Sequence, residues 1–160
     1  MADEMDGLER GDVLAFLLSK DGNQPQDEPL IAANIHEQLQ HMGLSSWSIS
    51  VLRRLRDAVG RLAPARVLEV GASIGHRTAW LLDEFERKER TPTALTLVEQ
   101  GGKFAVILQR LLQRYEAMNW ASVVVGEPEQ LAAEHQAWAL ASATGTELSQ
   151  TPFESGYDVI

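Results

Sequence analysis

The stretch Arg-Val-Leu-Glu-Val-Gly-Ala-Ser-Ile-Gly-His-Arg-Thr, residues 66–78, limits the folds open to this chain more than any other. Val67, Leu68 and Val70 read as a short buried strand, with Pro64 as punctuation upstream. Gly71 and Gly75 bracket a tight turn, after which Ala79, Leu82 and Phe85 recur at helical spacing. Strand, glycine turn and helix in succession form half of a βαβ unit. In open α/β sheets the ligand sits in the crevice at the carboxyl ends of the strands. The spacing here is Glu69-x-Gly71-x-x-x-Gly75, with Ser73 where the second glycine of a dinucleotide fingerprint would stand. That glycine is the one that admits a pyrophosphate to the backbone. The spacing therefore points to an adenosine ligand without a diphosphate. Glu69, at the strand end, suits a ligand carrying an ammonium or sulfonium charge.

The rest of the chain continues the alternation of strand and helix. Val13 to Leu18 is an apolar run read as a short helix, and Asp21 to Pro29 as a mobile linker. Ile31 to Met42 is helical in composition. Serines 45, 46 and 48 offer N-caps for an amphipathic helix with Ile49, Leu52, Leu55, Val59 and Leu62 on one face. Its arginines 53, 54, 56 and 61 read as a solvated face rather than a phosphate site. Thr93 to Glu99 is a second strand ending in an acid, 28 positions after Gly71. A carboxylate there suits two ribose hydroxyls. Phe104, Ile107, Leu108, Leu111, Leu112 and Tyr115 form a helical core stripe. Ser122 to Val125 is a third strand, and Pro128 fits the first turn of the helix that follows. Ala141 to Ser155 reads as a loop, and Gly156 to Ile160 as the opening of a fourth strand.

Glu69-x-Gly71-x-x-x-Gly75 after a strand resembles the first motif of the class I S-adenosylmethionine-dependent methyltransferases. Val67 to His76 is most similar to the small-molecule O-methyltransferases of the catechol and caffeoyl-CoA type. The resemblance implies an α/β fold, a Rossmann-like doubly wound parallel sheet, with residues 1–44 as a helical segment with a linker and 45–160 as the cofactor-binding domain. The family sheet runs in the order 3-2-1-4-5-7-6, so this chain is expected to break off at the start of the fourth strand. The cofactor implied is S-adenosylmethionine and the partner a small-molecule methyl acceptor. Glu69 would orient the methionine end, with Gly71, Ala72 and Ser73 offering backbone contact and Gly75 opening the helix beneath. His76 stands where relatives often carry an aromatic residue, and Arg77 where they commonly have a small one. Glu99 inherits the ribose, while Gly126 and Glu127 match the adenine position, although many relatives have Asp-Ala where this chain has Glu127-Pro128. The catalytic base and metal ligands of the family lie past residue 160, and Asp158 matches an upstream acid instead. The piece is thus expected to be poorly active or inactive alone.

Composition narrows the field further. A net charge of −9 argues against non-specific nucleic-acid or anionic-membrane binding. There is no cysteine, hence no disulfide or thiolate metal site, which fits the cytoplasm. No apolar run approaches the roughly 18 residues of a membrane span. His36, His41, His76 and His135 show no metal-ligand spacing, so no metal site is expected. No nucleophile elbow or P-loop is present. Two other readings stay open: a nicotinamide-dependent oxidoreductase domain, and a non-catalytic methyltransferase-like scaffold. Oligomeric state is likewise open, a homodimer included.

Overall fold

The computed structural model describes residues 27–145, 151, 153 and 156–160 of the chain. The helix expected at 13–18 and most of the 21–29 linker lie outside the described residues. Among the described residues, five helices and three strands follow in the order α1 (Leu30–His41), α2 (Ile49–Leu62), β1 (Arg66–Val70), α3 (His76–Arg87), β2 (Ala94–Glu99), α4 (Gly102–Arg114), β3 (Ala121–Val125) and α5 (Pro128–Ala143).

The three strands are parallel and lie in the order β1-β2-β3. Val67 pairs with Leu95, which in turn stands opposite Ala121. On the other flank of β1, Val159 forms a single parallel bridge with Val67. The incoming chain is anchored there by Asp158, whose Oδ2 accepts the backbone N–H groups of Ala65 and Arg66, each at 2.9 Å. The expected fourth strand is therefore present as one bridge, on the side of β1 away from β2.

The alternation of side chains along the strands separates two faces. Val67, Leu95 and Leu97 share one core with Leu52 of α2, Ala79 and Leu82 of α3, and Leu108 and Leu112 of α4. Leu68 and Val98 face the other way, against Leu131 of α5 and the half-buried Phe153 and Tyr157. Helices on both faces of a parallel sheet are the doubly wound arrangement. Strand β2, central among the three, is buried along nearly its whole length, with Leu95 and Leu97 on one face and Val98 on the other. Ala32, Ile35 and Leu39 place α1 in the first core as well, so this helix packs on the sheet.

Two expectations change. Helix α5 continues through Ala141 to Ala143, where a loop was expected. Alanines at 139, 141 and 143 favour helix strongly enough to carry it on, although only Leu131 of this helix is buried. On α2 the docking face is narrower than its periodicity implies. Leu52 and Val59 are buried, but Leu62 is 68% exposed, because the helix ends there and the chain turns back into β1.

Candidate cofactor site at the glycine turn

The turn between β1 and α3 is built by backbone hydrogen bonds to the neighbouring strand. The N–H groups of Gly71 and Ala72 both donate to the Val98 carbonyl, at 2.9 and 3.1 Å. Gly75 is demanded twice over. Its φ is +96°, and a Cβ placed on it would lie 2.5 Å from Leu111 Cδ2 on α4. Gly71, at φ +72°, has nothing within 4 Å of where its Cβ would be, so its face is open. Between them Ser73 also takes the left-handed conformation, φ +54°, at the position of the absent fingerprint glycine.

Glu99 closes β2 and is buried. Its Oε2 accepts the Ser73 N–H at 2.7 Å, and its Oε1 accepts the Gly101 N–H at 2.8 Å. One carboxylate thus joins the turn after β1 to the turn after β2. The third strand end is coupled to the second through the Gly126 N–H, which donates to the Glu99 carbonyl at 3.1 Å. Glu127 follows as the exposed residue before α5, and Pro128 takes the first helical position, as the sequence predicts.

Glu69 is also buried, and here an arginine has moved in. Arg77 Nε donates to Glu69 Oε1 at 3.2 Å, and Thr78 Oγ1 donates to Glu69 Oε2 at 2.8 Å. The same guanidinium donates to the carbonyls of Val70, at 3.1 Å, and Gly71, at 2.7 Å. It lies over the Trp47 ring, 4.6 Å from its centroid. Burial pushes the Glu69 carboxyl above its ordinary range, against the opposing pull of the Arg77 charge and the Thr78 hydroxyl. Arg77 therefore fills this corner of the turn from within the chain.

The His76 ring turns toward Ser46 and the residues before α1. It is buried, Nδ1 lies 2.6 Å from Ser46 Oγ, and Nε2 lies 2.6 Å from Glu28 Oε2. Glu28 also meets His36 Nδ1 through Oε1, at 2.5 Å, and accepts the Trp80 Nε1–H at 3.0 Å. Burial lowers the affinity of His76 for a proton more than its Glu28 partner raises it, so the ring is held neutral. Burial alone would raise the Glu28 carboxyl, but hydrogen bonds from His36, His76 and Trp80 outweigh it and hold the group below its ordinary range. Sequence spacing gave no hint of this cluster, because its members are brought together only when α1 docks on α3.

No protein-family model matches the sequence, and no curated protein matches it either. Solved structures do match in shape. A methyltransferase from Geobacter sulfurreducens aligns over 78% of this chain and 62% of its own, with 17% identity and a TM-score of 0.56. The O-methyltransferase from Bacillus cereus in complex with SAH aligns over 78% and 55%, with 16% identity and a TM-score of 0.55. The SAH-bound Podospora anserina methyltransferase aligns over 93% and 55%, with 14% identity and a TM-score of 0.58. The fold is the one these methyltransferases share. The chain spans between 55% and 62% of the length of these three. Among the described residues no helix is long and apolar enough to cross a membrane.

Proposed function

We propose that this chain is the cofactor-binding part of an S-adenosylmethionine-dependent methyltransferase, transferring a methyl group to an oxygen of a small molecule. The observation that carries the reading is the buried Glu99 carboxylate at the end of the second parallel strand, clasped by the Ser73 and Gly101 amides. Each of its oxygens keeps acceptor capacity beyond the amide it already binds. A pair of such acceptors matches the two vicinal hydroxyls of a ribose. Gly71, with open space before it, lets an adenosine ligand lie against the turn. The bound cofactor supplies an electrophilic methyl group on a sulfonium centre, and the protein's part is to hold donor and acceptor close and aligned. Ala72 and Ser73 contribute backbone contact, Gly75 opens α3 beneath, and Gly126 and Glu127 face the adenine. His76 serves through its backbone, since both ring nitrogens are engaged elsewhere.

The methionine end meets Arg77. A ligand ammonium seeks the Glu69 carboxylate and the Gly71 carbonyl that Arg77 now occupies. Arg77 swings outward when the cofactor enters, at the expense of its hydrogen bonds and its contact with Trp47. SAH and S-adenosylmethionine both carry this ammonium, so either reports the competition. Calorimetry with SAH tests the reading: saturable binding that is lost in Glu99→Ala supports it, and no binding to the wild-type chain counts against it. The scaffold alternative draws on the same arginine. If neither the wild-type chain nor Arg77→Ala binds SAH, a non-catalytic role takes its place.

A further inference from the structure

Glu28, His36 and His76 come from three separate segments: the residues before α1, α1 itself, and the first position of α3. One oxygen or nitrogen of each lies within 4.8 Å of the others. The two imidazole rings flank one carboxylate, their centroids 4.7 Å apart. Two imidazoles and a carboxylate are a donor set that suits divalent first-row metals, zinc above all, with coordination positions left for water. We propose that Glu28, His36 and His76 bind a divalent transition-metal ion.

The outer partners of His76 and Glu28 fit that assignment. Metal-binding imidazoles are held by a hydrogen bond at the nitrogen that does not ligate. His76 has that bond, since Nδ1 faces Ser46 Oγ at 2.6 Å while Nε2 faces the cluster. A hydroxyl both donates and accepts. In the metal-free state the network assigns His76 the Nε2–H tautomer, donating to Glu28 and accepting from Ser46. On ligation the proton moves to Nδ1, Ser46 becomes the acceptor, and Nε2 presents its lone pair. His36 undergoes the matching change, ligating through Nδ1 with its proton on Nε2. Both rings stay neutral, so the ion enters without a net loss of protons from them. Glu28 ligates through Oε1, and its Oε2 keeps the Trp80 N–H.

Metal–ligand bonds of about 2.0–2.2 Å bring donor atoms to roughly 3–3.5 Å of one another. The two imidazole–carboxylate pairs, now 2.5 and 2.6 Å apart, open by somewhat less than about 1 Å, while the wider separations, none above 4.8 Å, close by about 1–1.5 Å. Access is available as well. Glu28 lines an open cavity of about 480 Å³ whose rim carries Asp27, Asp57 and Asp83 against Arg53 and Arg56. With Glu28 the acids outnumber the arginines by four to two, which favours entry of a cation.

The test titrates zinc chloride into chelator-treated protein by calorimetry and follows the four histidines by ¹⁵N NMR. One ion per chain is expected, with a micromolar or tighter Kd. His36→Ala and Glu28→Gln are each expected to weaken it at least tenfold while keeping the wild-type circular dichroism. Saturation should move His36 Nδ1 and His76 Nε2 into the metal-ligated range and leave His41 and His135 unchanged. The NMR arm uses the wild-type chain, so it decides the matter even if a variant fails to fold. The proposal is overturned by the absence of saturable binding, by wild-type affinity in both variants, or by shifts confined to His41 and His135. In that event the cluster is a buried hydrogen-bond network and nothing more.

Discussion

Glu99 is a clasp as well as a ligand residue. Removing its carboxylate strands the Ser73 and Gly101 N–H groups together. Glu99→Ala is therefore expected to lower the unfolding free energy by about 2 kcal/mol, besides abolishing SAH binding. Urea denaturation checks this, and unchanged stability would show that the clasp is dispensable. Arg77→Ala is expected to act oppositely on the ligand. With the guanidinium gone, SAH should bind about 5–10-fold tighter, some 1–1.4 kcal/mol, and weaker binding would mean that Arg77 holds the ligand rather than excludes it. Glu69 carries a pH signature. Its folded pKa is raised above the ordinary 4.5, chiefly by burial. Its contribution to stability is thus fully present below that value and is lost as pH rises through the folded pKa. Glu69→Gln, which cannot ionise, should gain stability relative to the wild type between pH 4 and 7. Parallel denaturation curves at the two pH values measure it, and a difference that shrinks with rising pH contradicts the sign. Glu69 and Glu99 were legible in the sequence because each ends an apolar strand beside a glycine turn. The Glu28, His36 and His76 cluster was not, since no local periodicity links residues 48 positions apart.

At the level of elements, helical periodicity marked α2 to α4 well, because burial on one face repeats at each turn, while composition marked α1. Helix α5 was harder to bound. It has one buried residue, so alanine propensity rather than packing sets its length. The contact between α2 and α3 hides a constraint that no pattern reveals. Glu84, buried on α3, accepts Arg87 Nη2 at 2.7 Å and faces Lys88 Nζ at 3.1 Å. A Cβ on Gly60 of α2 would lie 2.7 Å from Glu84 Oε1. Glycine to alanine within a helix ordinarily gains about 1 kcal/mol. Here Gly60→Ala should instead lose about 1 kcal/mol, as the held carboxylate is forced aside. In a Glu84→Ala background the same change should become stabilising, and a double-mutant cycle reads the difference. Additive effects would mean that Glu84 yields freely.

For the whole molecule, the arrangement of strands follows from the order in which they occur. Crossovers through α3 and α4 lay β2 and β3 successively on one side of β1. Among the described residues, only the segment at 156–160 reaches the other side, and it does so through Val159 and the Asp158 anchor. Asp158→Ala is expected to cost about 1 kcal/mol and to speed amide exchange at Leu68, whose N–H donates to Val159 at 2.9 Å. Unaltered exchange there would detach the anchor from the strand. That long-range pairing has a further consequence during synthesis. At roughly 5–20 residues added per second, β1 leaves the ribosome something like 5–20 s before its far-flank partner has been made, so for that interval one margin of the nascent sheet lies bare to any passing strand or chaperone.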